Sequence, residues 1–297
     1  MNYLFGALLV IISNVIISVA NVFDGQLSRK TFSSIWSIVI VNGIILLPAL
    51  PIMFFILRPE AITKPQLLIL LIIASIEFFY QFPYYKALRY ADTSVVASLF
   101  SFEKILIPIL AYFIVQERLA PLQYLGFSII VLCSIAITFK KFSWKPNRAI
   151  LFMIPVTIIL AFNSVLQKYG LNQIEWKTFF FYTNVLSVPF YILAFIFIKS
   201  AYKEVKEFIK SPFRKLYIPI YSQNIATWAS GVFGTLALSM LPVTIVKAIG
   251  SFHAFIVHLV ASKGSKTLKI DNKENISAKK IILFILIGIG VFLTFQK

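Results

Sequence analysis

Basic side chains lie deep inside apolar stretches of this sequence, where a charge is costly and usually marks a cavity or a relay. They share a spacing. A shift of 150 positions turns Ala97, Ser101, Lys104 and Pro108 into Lys247, Ser251, Ala254 and His258. Both sets recur at i, i+4, i+7 and i+11, which keeps their members within about 40° on one face of a continuous α-helix. Two ammonium groups in a low-dielectric site would favour a carboxylate or phosphate ligand. The alternative for Lys247 is that its long side chain reaches the membrane surface.

Two carboxylates, Glu77 and Glu103, also lie in apolar stretches. Glu103 cannot pair with the adjacent Lys104, because neighbouring side chains on a helix diverge. It therefore needs a partner on another helix or a proton. Glu77 shares a helical face with Tyr80 and Tyr84, which could satisfy it by hydrogen bonding. We identify Glu77 and Glu103 as candidates for proton coupling, with a structural buried pair as the alternative for Glu103.

Polar and aromatic stripes follow four of the apolar stretches at helical spacing. One contains Asn14, Ser18 and Asn21; the others contain Asn163 and Gln167, Tyr80 and Tyr84, and Asn224 and Trp228. Such stripes can instead stabilise helix–helix packing through hydrogen bonds between polar side chains. Because they occur on repeat-equivalent segments, we predict a lined cavity. The predicted substrate-binding residues are Lys104, Lys247, His258, Ser101, Ser251, Asn14, Tyr84, Asn163 and Trp228.

The segments that carry these residues are long enough to cross a membrane. The chain is 59% hydrophobic and only 13% charged, and a helix needs about 20 apolar residues to span a bilayer. Ten such runs lie near 3–23, 34–57, 66–86, 94–115, 122–139, 149–168, 178–198, 216–236, 243–262 and 279–296. We therefore predict an all-α integral membrane protein with ten transmembrane helices.

An internal repeat divides the chain. Residues 87–111 align with 237–261 without a gap, and several pairs, such as Ser101 and Ser251, are identical. Each half contains five predicted spans, so an odd number forces the second copy to enter the membrane in the opposite orientation. We predict two inverted five-helix repeats, 1–145 and 146–297, that form one membrane domain, with the fourth and ninth spans facing each other.

The net charge of +17 arises from an uneven distribution of lysine and arginine. Twenty of these residues lie in or next to the loops after odd-numbered spans, against five on the other side, which is typical of cytoplasmic loops. The pattern places both termini outside the cytoplasm and argues against nucleic-acid binding. The single cysteine gives no disulfide framework, and the spacing of His253 and His258 does not suit a shared metal. Since no catalytic motif is present, we predict no enzyme activity, no cofactor and no metal.

A family resemblance emerges from three sequence segments. ALRYADTS (87–94), QERL (116–119) and PLQYLGFSIIVLCSIAI (121–137) resemble the signature of EamA-like members of the drug/metabolite transporter superfamily. The second half departs from the pattern, because the longer loop 262–277 stands where Glu-Arg-Leu should recur. The resemblance implies alternating-access transport of small metabolites.

These observations together predict a secondary active transporter, or permease, in the cell inner (plasma) membrane. The expected solute is a small polar metabolite that is acid-bearing or zwitterionic, such as an amino acid or a phosphorylated metabolite. Membrane lipid, protons or a counter-substrate are the other expected partners. The alternatives are a multidrug or cationic-solute exporter that uses Glu77 and Glu103, and a lipid-modifying membrane enzyme that uses His258 and Glu103. The sequence leaves oligomeric state and transport direction open.

Overall fold

The computed structural model describes residues 2–139, 148–253, 256–257 and 278–294, and its regular structure there is entirely helical. The first half contains α1 (Asn2–Gln26), α2 (Ile35–Leu57), α3 (Lys64–Phe79), α4 (Gln81–Tyr90), α5 (Thr93–Leu99), α6 (Glu103–Ile114) and α7 (Pro121–Phe139). The second half contains α8 (Arg148–Leu171), α9 (Trp176–Phe197), α10 (Tyr202–Lys210), α11 (Ile218–Met240), α12 (Val243–Ile249) and α13 (Ala278–Thr294).

Five stretches among the described residues are long and apolar enough to cross a membrane. They are Tyr3–Thr31, Ile35–Leu57, Lys64–Tyr90, Arg148–Leu171 and Trp176–Phe197. Large apolar side chains point outward from such helices; Phe55 and Phe197, for example, are each 75% exposed. An outer surface of this kind suits contact with lipid rather than with water. The predicted all-α, multi-pass membrane architecture is therefore confirmed.

The third predicted span, 66–86, is interrupted at Tyr80, where α3 gives way to α4. Pro83 explains the break, because proline has no N–H to donate to the carbonyl of Phe79 and its ring disturbs the preceding turn. Hydrogen bonding resumes when the Tyr84 amide donates to the Tyr80 carbonyl at 3.1 Å.

The fourth and ninth predicted spans are each broken by a single 3₁₀ turn. These turns, Phe100–Phe102 and Gly250–Phe252, lie 150 positions apart, as the sequence repeat does. A 3₁₀ turn advances about 120° per residue instead of 100°, so three residues rotate the following helix by about 60°. The predicted face requires an uninterrupted helix, so it does not run straight from Ala97 to Lys104 across the first of these turns.

Helices of the two halves pack against each other in a regular set of pairs. α1 packs along α11, and α3 and α4 pack along α8. α2 and α3 pack on α9, α6 packs on α8 and α12, and α7 packs on α13. The α7–α13 contact is close enough to require glycine, since a Cβ on Gly126 would lie 2.5 Å from the carbonyl oxygen of Gly290. The short helix α12 also contacts α1, α7, α8, α11 and α13, so the start of the ninth span lies among helices of both halves.

Candidate functional site

An ion pair joins the two halves where α6 meets α12. The Lys247 ammonium lies 3.2 Å from Glu103 Oε1, with the side chains 29% and 8% exposed respectively. Glu103 thus has the partner on another helix that the sequence required. The lysine contacts this carboxylate inside the protein instead of extending to the membrane surface. Because each charge neutralises the other, Lys247 is not an open anion site.

Lys104 differs from Lys247, although both lysines were predicted to line one site. Its side chain is buried, with 6% exposed. Among the described residues its ammonium forms no hydrogen bond or ion pair, although Glu103 and Lys247 lie within electrostatic range. A buried charge without a direct partner costs several kcal/mol, of order 3 or more in a membrane. Lys104 is therefore the cation of the cluster that a bound anion would stabilise.

Glu77 is held by neutral donors. Oε1 of Glu77 accepts hydrogen bonds from Asn163 Nδ2 at 2.6 Å and from Gln167 Nε2 at 3.0 Å. Asn163 Oδ1 is buried and has no hydrogen-bond partner within the described part of the chain. The alternative hydrogen bond from Tyr84 to Glu77 is not formed among the described residues, because the Tyr84 hydroxyl donates to Asp24 on α1. Lys247 and Glu103 are close enough to Glu77 to interact electrostatically.

The polar stripe of α1 faces the break in the ninth span. Asn21 Nδ2 lies 3.0 Å from His253 Nε2, and a Cβ on Gly250 would meet Asn14 Oδ1 at 3.4 Å. The Asn14 amide itself donates to the Val10 carbonyl. His253 lies within electrostatic range of Lys104 and Lys247. The stripe on α1, the broken ninth span and the lysines therefore belong to one polar region between the halves.

The other predicted substrate-binding residues do not all lie beside the charged cluster of Lys104, Glu103 and Lys247. The Ser251 hydroxyl is buried and donates to the carbonyl of Lys247 in α12 at 3.4 Å. Ser101 lies in the first 3₁₀ turn, and His258 lies outside the described residues. Trp228 is partly buried on α11, the helix that packs on α1. The structure gives no contact that joins Trp228 to the charged cluster within the described ranges.

A third buried carboxylate, Asp24, is only 4% exposed and is not among the residues predicted from the sequence. Its Oδ2 accepts from the Tyr84 hydroxyl at 3.0 Å, and its Oδ1 accepts from the Tyr85 hydroxyl at 2.8 Å. Asp24 was missed because the first apolar run was ended at position 23. A signal was present, since Asp24 lies three residues after Asn21 and continues the stripe of α1 by one turn.

The Glu-Arg-Leu motif has a structural role across the two halves. Glu117 of the motif accepts hydrogen bonds from the backbone amides of Val243, at 2.8 Å, and Thr244, at 3.0 Å. These are the first two residues of α12, so a carboxylate of the first half caps a helix of the second. The cap fixes where the ninth span begins, seven residues before its 3₁₀ break.

Comparisons with known proteins agree with this fold. Residues 4–139 match the model of the EamA-like transporter family, as the resemblance predicted. None of the curated proteins matches the chain at a significant level. A solved crystal structure of a protein with 14% identity superposes with a TM-score of 0.62, covering 95% of this chain and 97% of the other. At this identity the likeness shows the fold alone.

Proposed function

We propose that this multi-pass membrane protein, whose residues 4–139 match the EamA-like transporter family, is a transporter whose solute is a small zwitterion of the amino-acid type. The observation that carries this proposal is that Lys104 is buried without a direct hydrogen-bond or ion-pair partner among the described residues. Lys247, by contrast, is neutralised by Glu103. The site therefore offers one open positive group instead of the two predicted from the sequence.

The negative counterpart is Glu77. Its carboxylate is held by the neutral amides of Asn163 and Gln167. A substrate carboxylate on Lys104 and a substrate ammonium on Glu77 would each supply the missing counter-charge. A proton would compete with the ammonium for the same carboxylate. This competition would couple transport to a proton, with Glu77 as the coupling group and Glu103 as a structural partner of Lys247.

Alternating access would arise from two inverted five-helix repeats, 1–145 and 146–297, in a ten-helix bundle. The packing supports this arrangement. Exchange of the two halves turns the α1–α11 pair into the α8–α3/α4 pair, while the α2–α9 and α7–α13 pairs map onto themselves. The 3₁₀ breaks also coincide under the 150-residue shift. Discontinuous helices at a repeat interface commonly form the substrate sites of carriers.

The proposal is tested by ligand-dependent stability followed by uptake. The purified protein would be screened with amino acids, phosphorylated metabolites and quaternary ammonium compounds, because a ligand at 100 times its Kd stabilises by about 2.7 kcal/mol. We expect zwitterions to stabilise the wild type and to enter proteoliposomes. Lys104→Ala should abolish both effects, while Lys177→Ala, which changes an exposed lysine, should leave both unchanged. Full uptake by a folded Lys104→Ala variant would contradict the proposal.

A cationic-solute exporter is the second candidate, and the neutral surroundings of Glu77 favour it. In that case quaternary ammonium compounds would stabilise the protein, Glu77→Gln would remove the effect, and Lys104→Ala would not. The enzyme alternative needs Glu103 as an acid or base, a role that its ion pair with Lys247 opposes.

The proposed location is the inner (plasma) membrane, with both termini on its outer side. The twenty-to-five distribution of Lys and Arg supports this orientation. A C-terminal reporter enzyme that is active only in the cytoplasm should be inactive on this protein. Full activity of the reporter would reverse the orientation.

A further inference from the structure

Asp24 is a buried carboxylate that the proposed substrate site does not use. It lies near the end of α1, and both of its oxygens accept a tyrosine hydroxyl, Oδ2 from Tyr84 and Oδ1 from Tyr85. These hydrogen bonds connect α1 to α4, two helices that pack against each other. Two neutral donors satisfy the geometry of the carboxylate but do not neutralise its charge.

The basic residues on the neighbouring segments are engaged elsewhere. Arg29 bonds the Gly25 carbonyl and the Thr93 hydroxyl, and it lies 3.7 Å from the carboxylate of Asp92. Arg89 donates to two backbone carbonyls, those of residues 28 and 32. Lys86 lies over two aromatic rings, the nearer centroid at 4.7 Å. None of these three cations forms an ion pair with Asp24, so within the described part of the chain its charge has no counter-ion.

We propose that Asp24, together with Tyr84 and Tyr85, is a proton-binding site that links α1 to α4. A carboxylate enclosed in the membrane region persists where a cation or proton meets it. Among the described residues, Asp24 belongs to no group of three or more His, Cys, Asp or Glu side chains that could hold a metal ion, and hard cations such as Ca²⁺ and Mg²⁺ take six or more oxygen ligands. A proton needs only one.

The hydrogen-bond pattern indicates which oxygen takes the proton. The Tyr85 hydroxyl accepts from Asn42 Nδ2 at 3.3 Å, and the Asn42 side chain is tied in turn to Asn224. Because the Tyr85 hydroxyl oxygen already accepts from Asn42, the hydroxyl proton is directed towards Asp24, and Tyr85 remains a donor. The Tyr84 hydroxyl has no second hydrogen bond among the described residues, so it can rotate and accept. Protonation at Oδ2 would therefore reverse the Asp24–Tyr84 hydrogen bond and leave the bond to Tyr85 in place.

Other titratable or charged groups lie on, or directly beside, the elements packed against α1. Those on the packed elements are Arg29, Lys30, Lys86, Arg89, Tyr90, Tyr221 and Lys247, and those directly beside them are Tyr80, Asp92 and His253. Tyr80 lies within electrostatic range of both Asp24 and Glu77. His253 bonds Asn21, one turn before Asp24. A proton on Asp24 would thus alter the charge next to the substrate site while the proton site stays separate from Lys104.

Infrared difference spectroscopy of the full-length protein in nanodiscs tests the proposal without a substrate. A pH titration of the wild type should show the carbonyl band of a buried protonated carboxyl group. Asp24→Asn, which has the shape of the protonated form, should remove this band. Glu207→Gln removes an exposed carboxylate and should leave the band unchanged. Glu77→Gln, measured in parallel, identifies any band that belongs to the substrate site.

Tyr84→Phe provides a second measurement that does not depend on how well Asp24→Asn folds. Loss of the hydroxyl should shift the Asp24 band, because the protonated group loses its acceptor. An unchanged spectrum in Asp24→Asn, or an unshifted band in Tyr84→Phe, would overturn the proposal. Removal of the band by sodium at constant pH would also overturn it, since the site would then bind a metal ion. These results do not depend on uptake, so the zwitterion proposal can fail while this one stands.

Discussion

The cap that Glu117 places on α12 leads to a quantitative prediction. Glu117→Ala removes the acceptor of two backbone amides, those of Val243 and Thr244. Loss of a side-chain cap costs about 0.5–2 kcal/mol, and loss of a negative charge beside a helix N-terminus adds about 0.3–1 kcal/mol. Both capped residues are almost fully buried, so water cannot easily replace the carboxylate. We expect a local cost of about 2 kcal/mol, and about half of that for Glu117→Gln, which keeps one acceptor.

Hydrogen–deuterium exchange measures this cost at the two amides. Because 1.4 kcal/mol is a tenfold change, about 2 kcal/mol should speed their exchange roughly 30-fold. Glu175→Ala is a matched control. Glu175 caps its own helix, α9, through the amides of Lys177 and Thr178 at 2.8 and 3.3 Å. Its loss should speed exchange at the start of α9 and leave α12 unchanged.

Two results would refute this reasoning. Unchanged exchange at Val243 and Thr244 in Glu117→Ala would mean that the cap does not hold the start of α12. Equal acceleration at α12 in the Glu175→Ala control would mean that both variants loosen the whole protein. A local effect in the first variant alone would show that the Glu-Arg-Leu motif stabilises the ninth span across the two halves.

Three further predictions follow from other contacts. Lys247→Met and Glu103→Gln should each lower the free energy of unfolding by up to about 3 kcal/mol. This is the low end for a buried ion pair, because the Lys247 side chain is 29% exposed. In a double-mutant cycle, the double variant should lose less stability than the sum of the two single variants. Gly126→Ala should lower thermal stability by about 1–3 kcal/mol, because its Cβ meets a carbonyl of α13, whereas Gly288→Ala, whose Cβ meets nothing within 4 Å, should not. Partial burial acts to raise the pKa of Glu204, but hydrogen bonds from the start of α2 lower that pKa by more, to below its ordinary 4.5. Stability from this contact should therefore be complete above about pH 4.5 and fall as the pH drops through the folded-state pKa, and Glu204→Gln should remove that dependence in an acid titration of unfolding.

Composition and short-range periodicity were sufficient to predict the membrane class and most helix bounds. The run predicted at 34–57 forms α2 at Ile35–Leu57, and the run predicted at 149–168 forms α8 at Arg148–Leu171. Such segments are determined locally, because a backbone in lipid must satisfy its own hydrogen bonds and an apolar run of about 20 residues can do so only as a helix. The 150-residue repeat likewise placed the two 3₁₀ turns at equivalent positions, although it did not reveal the turns themselves.

Which residues far apart in sequence form hydrogen bonds and ion pairs with each other depends on the tertiary structure. Glu103 and Lys247 are 144 positions apart, Glu117 and Val243 are 126 apart, and Asp24 and Tyr84 are 60 apart. Periodicity places a side chain on a face of its own helix, but it does not say which other helix that face meets. It also assumes an unbroken helix, so the 3₁₀ turns Phe100–Phe102 and Gly250–Phe252 rotate the predicted faces. The sequence therefore named the charged groups, whereas helix packing decided that Lys247 is neutralised and that the Lys104 ammonium forms no ion pair among the described residues.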